Sequence, residues 1–442
     1  MDSTLIKRIC RTAVWLGLTV SWVGCGDLAD AGTEGDVDQE AARAVTNGLS
    51  AVNGLSSTNG LSGVNGLSST NGLSLVNGLS STNGLSSTNG LMTSAAGRRT
   101  VAYLVKCALA AGDTLVKADS SGTNYTFAGG LGLCPAWKNG AVNTNFQCQE
   151  FISACLMAHL NTAGIHIPIW LDADPYKSPI GWGMDTKNYP YQEGTFFGNL
   201  LITGEYGHAN AHAPVGFYCD GDGFAQGSSG VVAGRIGDTG SDAYSNPWGA
   251  GALCRNTCTG QYSLGAGVQS EPDGYVNCTA PNIPTFNNMI TVWRNNTYTP
   301  QFDSGYTYSL SALNTNKGEM IRALIAGSVV DQQPSSTQDA QQFNLSAVGS
   351  SWRISLKAAT STCLDAGAGT NGASLALASC GTGLQQQWTV TPDVQTGSFI
   401  LKNGAAGNCL NVRGSSSAAG APIEVATCNS GSKSQKFVIR GQ

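Results

Sequence analysis

Three short echoes near the C-terminus constrain this chain most. They read Gln341-Gln342-Phe343, Gln386-Gln387-Trp388 and Gln435-Lys436-Phe437: a glutamine, any residue, then a large aromatic, at spacings of 45 and 49 residues. Self-similarity at such a period signals repeated supersecondary units that share one core. An apolar strand and turn precede each echo, and the sequence aligns Ile321 to Asp331 with Ile354 to Asp365 and with Ile400 to Asn411. Three units of short strands, each closed by a buried aromatic, predict a threefold β-trefoil over 301–442.

The remaining 300 residues leave room for at least one further domain. Only 12% of the chain is charged and 58 residues are Gly, which disfavours long charged helices and favours strands and loops. A net charge of −5 gives no basic footprint, so nucleic acid is excluded as a partner. Fourteen cysteines without a metal-ligand pattern point to an oxidising compartment.

At the N-terminus, Lys7, Arg8 and Arg11 precede an apolar run from Ala13 to Val23, too short to span a bilayer and of the length of an export signal. Residues 27–40 form an acidic linker, within 26–46. From Asn47 to Leu91 the triplet Asn-Gly-Leu then appears eight times with a period of six. One Leu and an occasional Val per six residues make a thin core, so 47–96 reads as a spacer, with a left-handed solenoid as the alternative.

The central stretch, 97–300, predicts a disulfide-rich α+β domain. Val101, Leu104, Val105 and Ala108 have helical spacing, a hairpin joins Thr114–Lys117 to Asn124–Phe127, and Thr144-Asn145-Phe146-Gln147 has the form of a capping box. Phe151, Cys155 and Ala158 continue that second helix, and Ile165, Ile167 and Ile169 alternate as a strand would. The domain holds eight cysteines and the C-terminal domain four, both even, as disulfide frameworks require. Cys148 and Cys155 lie seven apart on one helix, about 10.5 Å in rise, too far to bridge each other. Each therefore reaches another element.

The Gln-x-aromatic segment, roughly 310–442, resembles the ricin B-type lectin family. That resemblance implies disulfides Cys363–Cys380 and Cys409–Cys428, each flanking one repeat's loop, and carbohydrate as the partner; the residues themselves call for no cofactor and no metal. It assigns sugar-hydroxyl contacts to Asp365 and Gln385 in the middle repeat and to Asn411 in the last. The aromatic that stacks on the ring is replaced by Ala378 and Ala426, and in the first repeat only nine residues separate Asp331 from Gln341. Val23-Gly24-Cys25 resembles the end of a bacterial lipoprotein signal, implying lipidation at Cys25, a membrane partner through that anchor and an outer-membrane or cell-surface location. An ordinary signal peptide, and secretion, is the alternative. The repeat tract and the central domain are similar to exported myxobacterial proteins, which brings no activity with it.

Whether the central domain is an enzyme stays open. Gln147-Cys148-Gln149 followed by His212 is similar to the order of papain-like cell-wall hydrolases, which would make Cys148 a nucleophile at a helix N-terminus and His212 its base. A glycosidase needs two carboxylates across a cleft; among Asp172, Asp174, Asp185, Glu193 and Glu205, Glu193 is the first candidate. His208 and His212 have a spacing usable by a metal, but the Glu of a zincin pattern does not accompany them, and a loop is the alternative. The sequence thus predicts an exported carbohydrate-binding protein, with a secreted hydrolase of glycans or peptidoglycan as the alternative. It gives no oligomeric state.

Overall fold

The computed structural model describes residues 44–47, 49–50, 91–140, 145–161, 165–180, 187–201, 215–221, 253–262, 274–279, 285–294, 297–302, 304, 306–314, 320–324, 328–336, 338–393, 396 and 398–441. Cys25, the acidic linker up to residue 43 and the repeats of 51–90 lie outside them. So do His208, His212, Asp185 and Glu205.

Helix α1 (Ala95–Ala108) starts where the Ser94 hydroxyl accepts the Gly97 N–H. Gly97 passes so close to the Leu91 carbonyl that a Cβ there would sit 2.1 Å from its oxygen. Its Val101, Leu104, Val105 and Ala108 face is fully buried. Helix α2 (Phe146–Ala158) is capped by Asn145, whose side chain accepts the Cys148 N–H, not by Thr144. Every residue from Cys148 to Ala158 is buried, so α2 is the spine of the domain. Its polar groups are all satisfied, as burial demands. Gln149 accepts from Asn199, the Ser153 hydroxyl accepts the Leu200 N–H, and Glu150 accepts from the backbones of Asn287 and Asn288 and the Asn288 side chain.

The spine lies on an antiparallel sheet ordered β1-β6-β11-β7-β8. These strands are β1 (Ala44–Asn47), β6 (Ile165–Asp172), β11 (Ile290–Arg294), β7 (Tyr191–Asn199) and β8 (Val215–Asp220). Ile169, Leu171, Phe196, Tyr218, Ile290 and Val292 pack with Phe151, Ile152 and Leu156 of α2 in one core. The smaller pairs are β2 (Leu49–Ser50) with β5 (Leu160–Asn161), the expected hairpin β3 (Thr114–Ala118) with β4 (Asn124–Ala128), and β9 (Cys258–Tyr262) with β10 (Gly274–Cys278).

Four disulfides brace this domain: Cys107–Cys155, Cys134–Cys148, Cys219–Cys254 and Cys258–Cys278. The first joins α1 to α2 across 48 residues, a loop whose closure stabilises the fold by on the order of 4 kcal/mol in the chain-entropy account. Cys148 and Cys155 each reach a different element, as their helical spacing requires.

Strand β12 (Gln301–Phe302) pairs with β6 and leads into the C-terminal domain, where the Phe302 ring meets Tyr308 and Trp352 edge-on at 5.1 and 4.7 Å. Three repeats follow. The first comprises β13 (Tyr308–Ala312), β14 (Met320–Leu324), β15 (Val329–Gln333) and β16 (Phe343–Val348). The second comprises β17 (Ser351–Leu356), β18 (Thr362–Asp365), β19 (Ala373–Ser374), β20 (Ala376–Ser379) and β21 (Trp388–Asp393). The third comprises β22 (Ser398–Asn403), β23 (Cys409–Val412), β24 (Ile423–Ala426) and β25 (Phe437–Gly441). The first and last long strands of each repeat close a six-stranded ring, β13-β16-β17-β21-β22-β25 and back to β13. The hairpins β14–β15, β18–β20 and β23–β24 stand outside that ring. This is the β-trefoil.

The Gln-x-aromatic step explains the threefold pattern. Phe343, Trp388 and Phe437 open the closing strands, are fully buried, and face Tyr308, Trp352 and Phe399 across the ring. The glutamine of each step is buried too, and each uses both ends of its amide. Gln341 accepts the Ser336 N–H and donates to the Pro334 carbonyl; Gln386 does the same with Gly381 and Ser379, and Gln435 with Asn429 and Thr427. The motif therefore pins the end of each hairpin to the barrel.

The six disulfides use all twelve cysteines among the described residues. Alkylation of the denatured, unreduced chain should label none of these twelve. A reproducible label at Cys148 would return it to the list of nucleophiles.

Candidate functional site

At one level of each trefoil hairpin, two residues face each other across the strands: Arg322 and Asp331, Asp365 and Ala376, Asn411 and Glu424. This corrects the alignment drawn from sequence. Asp331 lies on the second hairpin strand, and Arg322 occupies the place held by Asp365 and Asn411. The misalignment has a simple origin. Ile354 and Ile400 lie on barrel strands β17 and β22, whose counterpart is β13, whereas Ile321 already belongs to the hairpin. Asp331 marks the far hairpin strand, so the nine residues before Gln341 do not measure a lost loop.

The three pairs have different chemistry. In the first, the Arg322 guanidinium donates to both Asp331 oxygens, at 3.0 and 2.7 Å. That bidentate contact holds the guanidinium pKa above its ordinary value. In the third, Asn411 donates to Glu424 at 2.9 Å and accepts the Ser434 hydroxyl at 2.8 Å, so both ends of its amide are engaged. Arg413 then neutralises Glu424 at 2.7 Å. In the second, Asp365 faces a methyl group. Its Oδ1 accepts the Gly367 N–H at 2.7 Å and its Oδ2 accepts from Gln386 Nε2 at 2.8 Å. Each carboxylate oxygen can accept twice, so Asp365 is oriented by the protein yet retains acceptor capacity on both oxygens. Cys363, two residues earlier on β18, is bonded to Cys380, which fixes the hairpin beside it. The pair Cys409–Cys428 does the same in the third repeat.

Gln386, not Gln385, is the side chain on Asp365. The Gln385 carbonyl accepts from the Ala366 N–H and from Asn403, so this residue supports the loop through its backbone. The motif singled out Gln386 as a structural residue, and its second role needs the register of β18 against the 384–386 turn to be seen. Ala378 faces Cys363, whereas the exposed Ala376 faces Asp365. Both are alanines, so no aromatic platform accompanies the carboxylate on this hairpin.

In the central domain the candidates separate. Cys148 is bonded to Cys134 and buried, so it has no thiolate and is not a nucleophile. Its proposed base, His212, lies outside the described residues. Glu193 forms a buried ion pair with Arg294 at 3.0 Å, their side chains 0% and 4% exposed. Such a pair holds a charge inside the fold, and losing one partner costs about 3–5 kcal/mol. The first candidate for a glycosidase carboxylate thus lies in the interior, paired with a guanidinium. Asp172 is buried and accepts its neighbour's N–H, while Asp174 caps a turn at Tyr176. Trp170 is buried and packs on Tyr189 at 5.8 Å. Cys107, Cys155 and His159 cluster within 4.8 Å, but the two sulfurs are bonded to each other and offer no thiolate to a metal.

Residues 314–437 match the family model of the ricin-type beta-trefoil lectin domain. The C-terminal part of this chain is a domain of that type. Among solved structures, the chain is similar to a designed threefold-symmetric protein, ThreeFoil, at 23% identity over 30% of this chain and 97% of that one, with a TM-score of 0.28. It is also similar to a ricin B-like lectin of Macrolepiota procera in complex with lactose, at 18% identity over 32% and 98%, TM-score 0.28. A third similarity is to 1,3Gal43A, an exo-beta-1,3-galactanase from Clostridium thermocellum, at 18% identity and TM-score 0.29, over 37% of this chain and 33% of that one. The chain thus spans about a third of the galactanase. No curated protein matches the chain.

Proposed function

We propose that this protein binds carbohydrate through one site, the Asp365 hairpin of the middle repeat. The carrying observation is the cross-strand residue. Arg322 neutralises Asp331 and Arg413 neutralises Glu424, whereas Asp365 faces Ala376, pairs with no cation among the described residues and accepts only from the neutral Gly367 and Gln386. A carboxylate held by Gln386 and Gly367 accepts hydrogen bonds from sugar hydroxyls, and such charge-assisted contacts are the stronger kind. Without an aromatic face at 376 or 378, affinity rests on polar contacts and stays weak, on the order of millimolar.

The setting we infer is export, with attachment through Cys25. Six disulfides support an oxidising compartment, and the basic and apolar N-terminus supports an export signal. Cys25→Ser should release the protein from the membrane fraction; unchanged retention would contradict the anchor. The hydrolase alternative has lost Cys148 as its nucleophile, because that cysteine is bonded to Cys134.

The site is tested with the full chain on a glycan array. Asp365→Asn keeps the size and one acceptor, and should lower binding roughly ten- to hundredfold through loss of a charged hydrogen-bond partner worth about 1.5–3 kcal/mol. Asn411→Ala should leave the array signal unchanged. Ala376→Trp should strengthen binding about three- to tenfold by adding a stacking face of about 0.5–1.5 kcal/mol. A parent chain silent on every glycan, or an Asp365→Asn chain that binds like the parent, overturns the reading.

A further inference from the structure

We infer that the third repeat's Arg413–Glu424 pair is a clamp that positions the carbohydrate loop of the second repeat. This deepens the reading of Asp365 and rests on it. The loop 366–375 follows Asp365 directly, and Gly367, Gly369 and Gly372 adopt φ values of 56, 65 and 82°. Glycine is the residue suited to that region, but it brings no side chain to hold the loop in place. Asp365 fixes only the first turn, through the Gly367 N–H.

Most of the remaining anchors come from the third repeat. Gly372 and Leu375 donate to the carbonyls of Val425 and Ile423, and β19 pairs with β24 so that Ser374 faces Glu424. Asn408 donates to the Gly369 carbonyl, and Asn371 accepts the Thr427 N–H. Arg413 completes the set, donating through Nη2 to the Gly372 carbonyl at 3.2 Å and to the Ser374 hydroxyl at 2.7 Å. Its Nε is held by Glu424, which is held by Asn411, which is held by Ser434. The third repeat's pair thus joins a chain of contacts that ends on the sugar loop.

The neighbouring junction shows that the clamp is specific. The third repeat's own loop docks on the first repeat through Gln332, which exchanges backbone bonds with Ala421 and Gly420 and donates its amide to Ser416 and Ala418. Among the described residues, the Asp365 loop is the one gripped by a guanidinium. The Arg413 side chain is 43% exposed, and exposed ion pairs add little to global stability. A role in overall stability therefore predicts almost no effect of removing it, whereas a positioning role predicts a local one.

The test reads two signals on the full chain: amide hydrogen exchange without sugar, and binding on the same glycan array. Arg413→Ala should speed exchange at Gly372 and Leu375 and weaken array binding about two- to thirtyfold, the range of coupling through a contact network. The melting temperature should stay close to the parent's. Arg413→Lys should restore part of both signals, and Glu424→Gln, which keeps an acceptor for Asn411, should fall between Arg413→Ala and the parent. Unchanged array binding by Arg413→Ala, with Asp365→Asn silent, overturns the clamp and leaves the Asp365 site standing. Weakened binding with unchanged exchange makes Arg413 a direct sugar contact and also overturns it. Binding by Asp365→Asn at the parent's level overturns both.

Discussion

The C-terminal domain depends on a buried amide that is used at both ends. Gln341, Gln386 and Gln435 each accept one backbone N–H and donate to one backbone carbonyl of the turn before the closing strand. An aromatic two residues later enters the ring. A buried amide left unsatisfied would cost about 1–3 kcal/mol, so the turn, the hairpin end and the barrel strand are fixed together. Because this brace is built from residues outside the hairpin tips, the tips are free to differ, and they do.

On that constant frame, one cross-strand position decides what each repeat can do. Where the hairpin acid meets a guanidinium, as Asp331 meets Arg322 and Glu424 meets Arg413, its charge is neutralised inside the protein. Where the partner is Ala376, the carboxylate is held by neutral donors and meets no cation among the described residues. The three repeats are then not three copies of one site in different states of decay. One presents a carboxylate, one is tied off by an ion pair, and one reaches across to the loop of its neighbour.

Much of this architecture was legible in the sequence. The Gln-x-aromatic echoes announced the trefoil because a buried Gln brace and a barrel aromatic leave a pattern in sequence. The even cysteine counts and the helical spacing of Cys148 and Cys155 announced disulfides between elements. The role of Asp331 was not legible, because an Asp before a Gln-x-aromatic step looks the same on either hairpin strand, and only register separates them. Cys148 at a helix N-terminus looked reactive for a real physical reason, yet a disulfide partner 14 residues earlier is equally compatible with the sequence. Glu193 was legible as a distinctive acid, but its ion pair with Arg294 joins residues a hundred positions apart that only the sheet brings together.

The central claim, one carbohydrate site at Asp365, is tested most directly by heteronuclear NMR of the full chain titrated with the glycans that bind on the array. The account predicts that saturating sugar shifts the Gln386 side-chain amide and the backbone amides of Gly367 and its loop, with a stoichiometry of one. Shifts centred on Arg322 and Asp331, on Asn411 and Glu424, or on all three hairpins equally would contradict it.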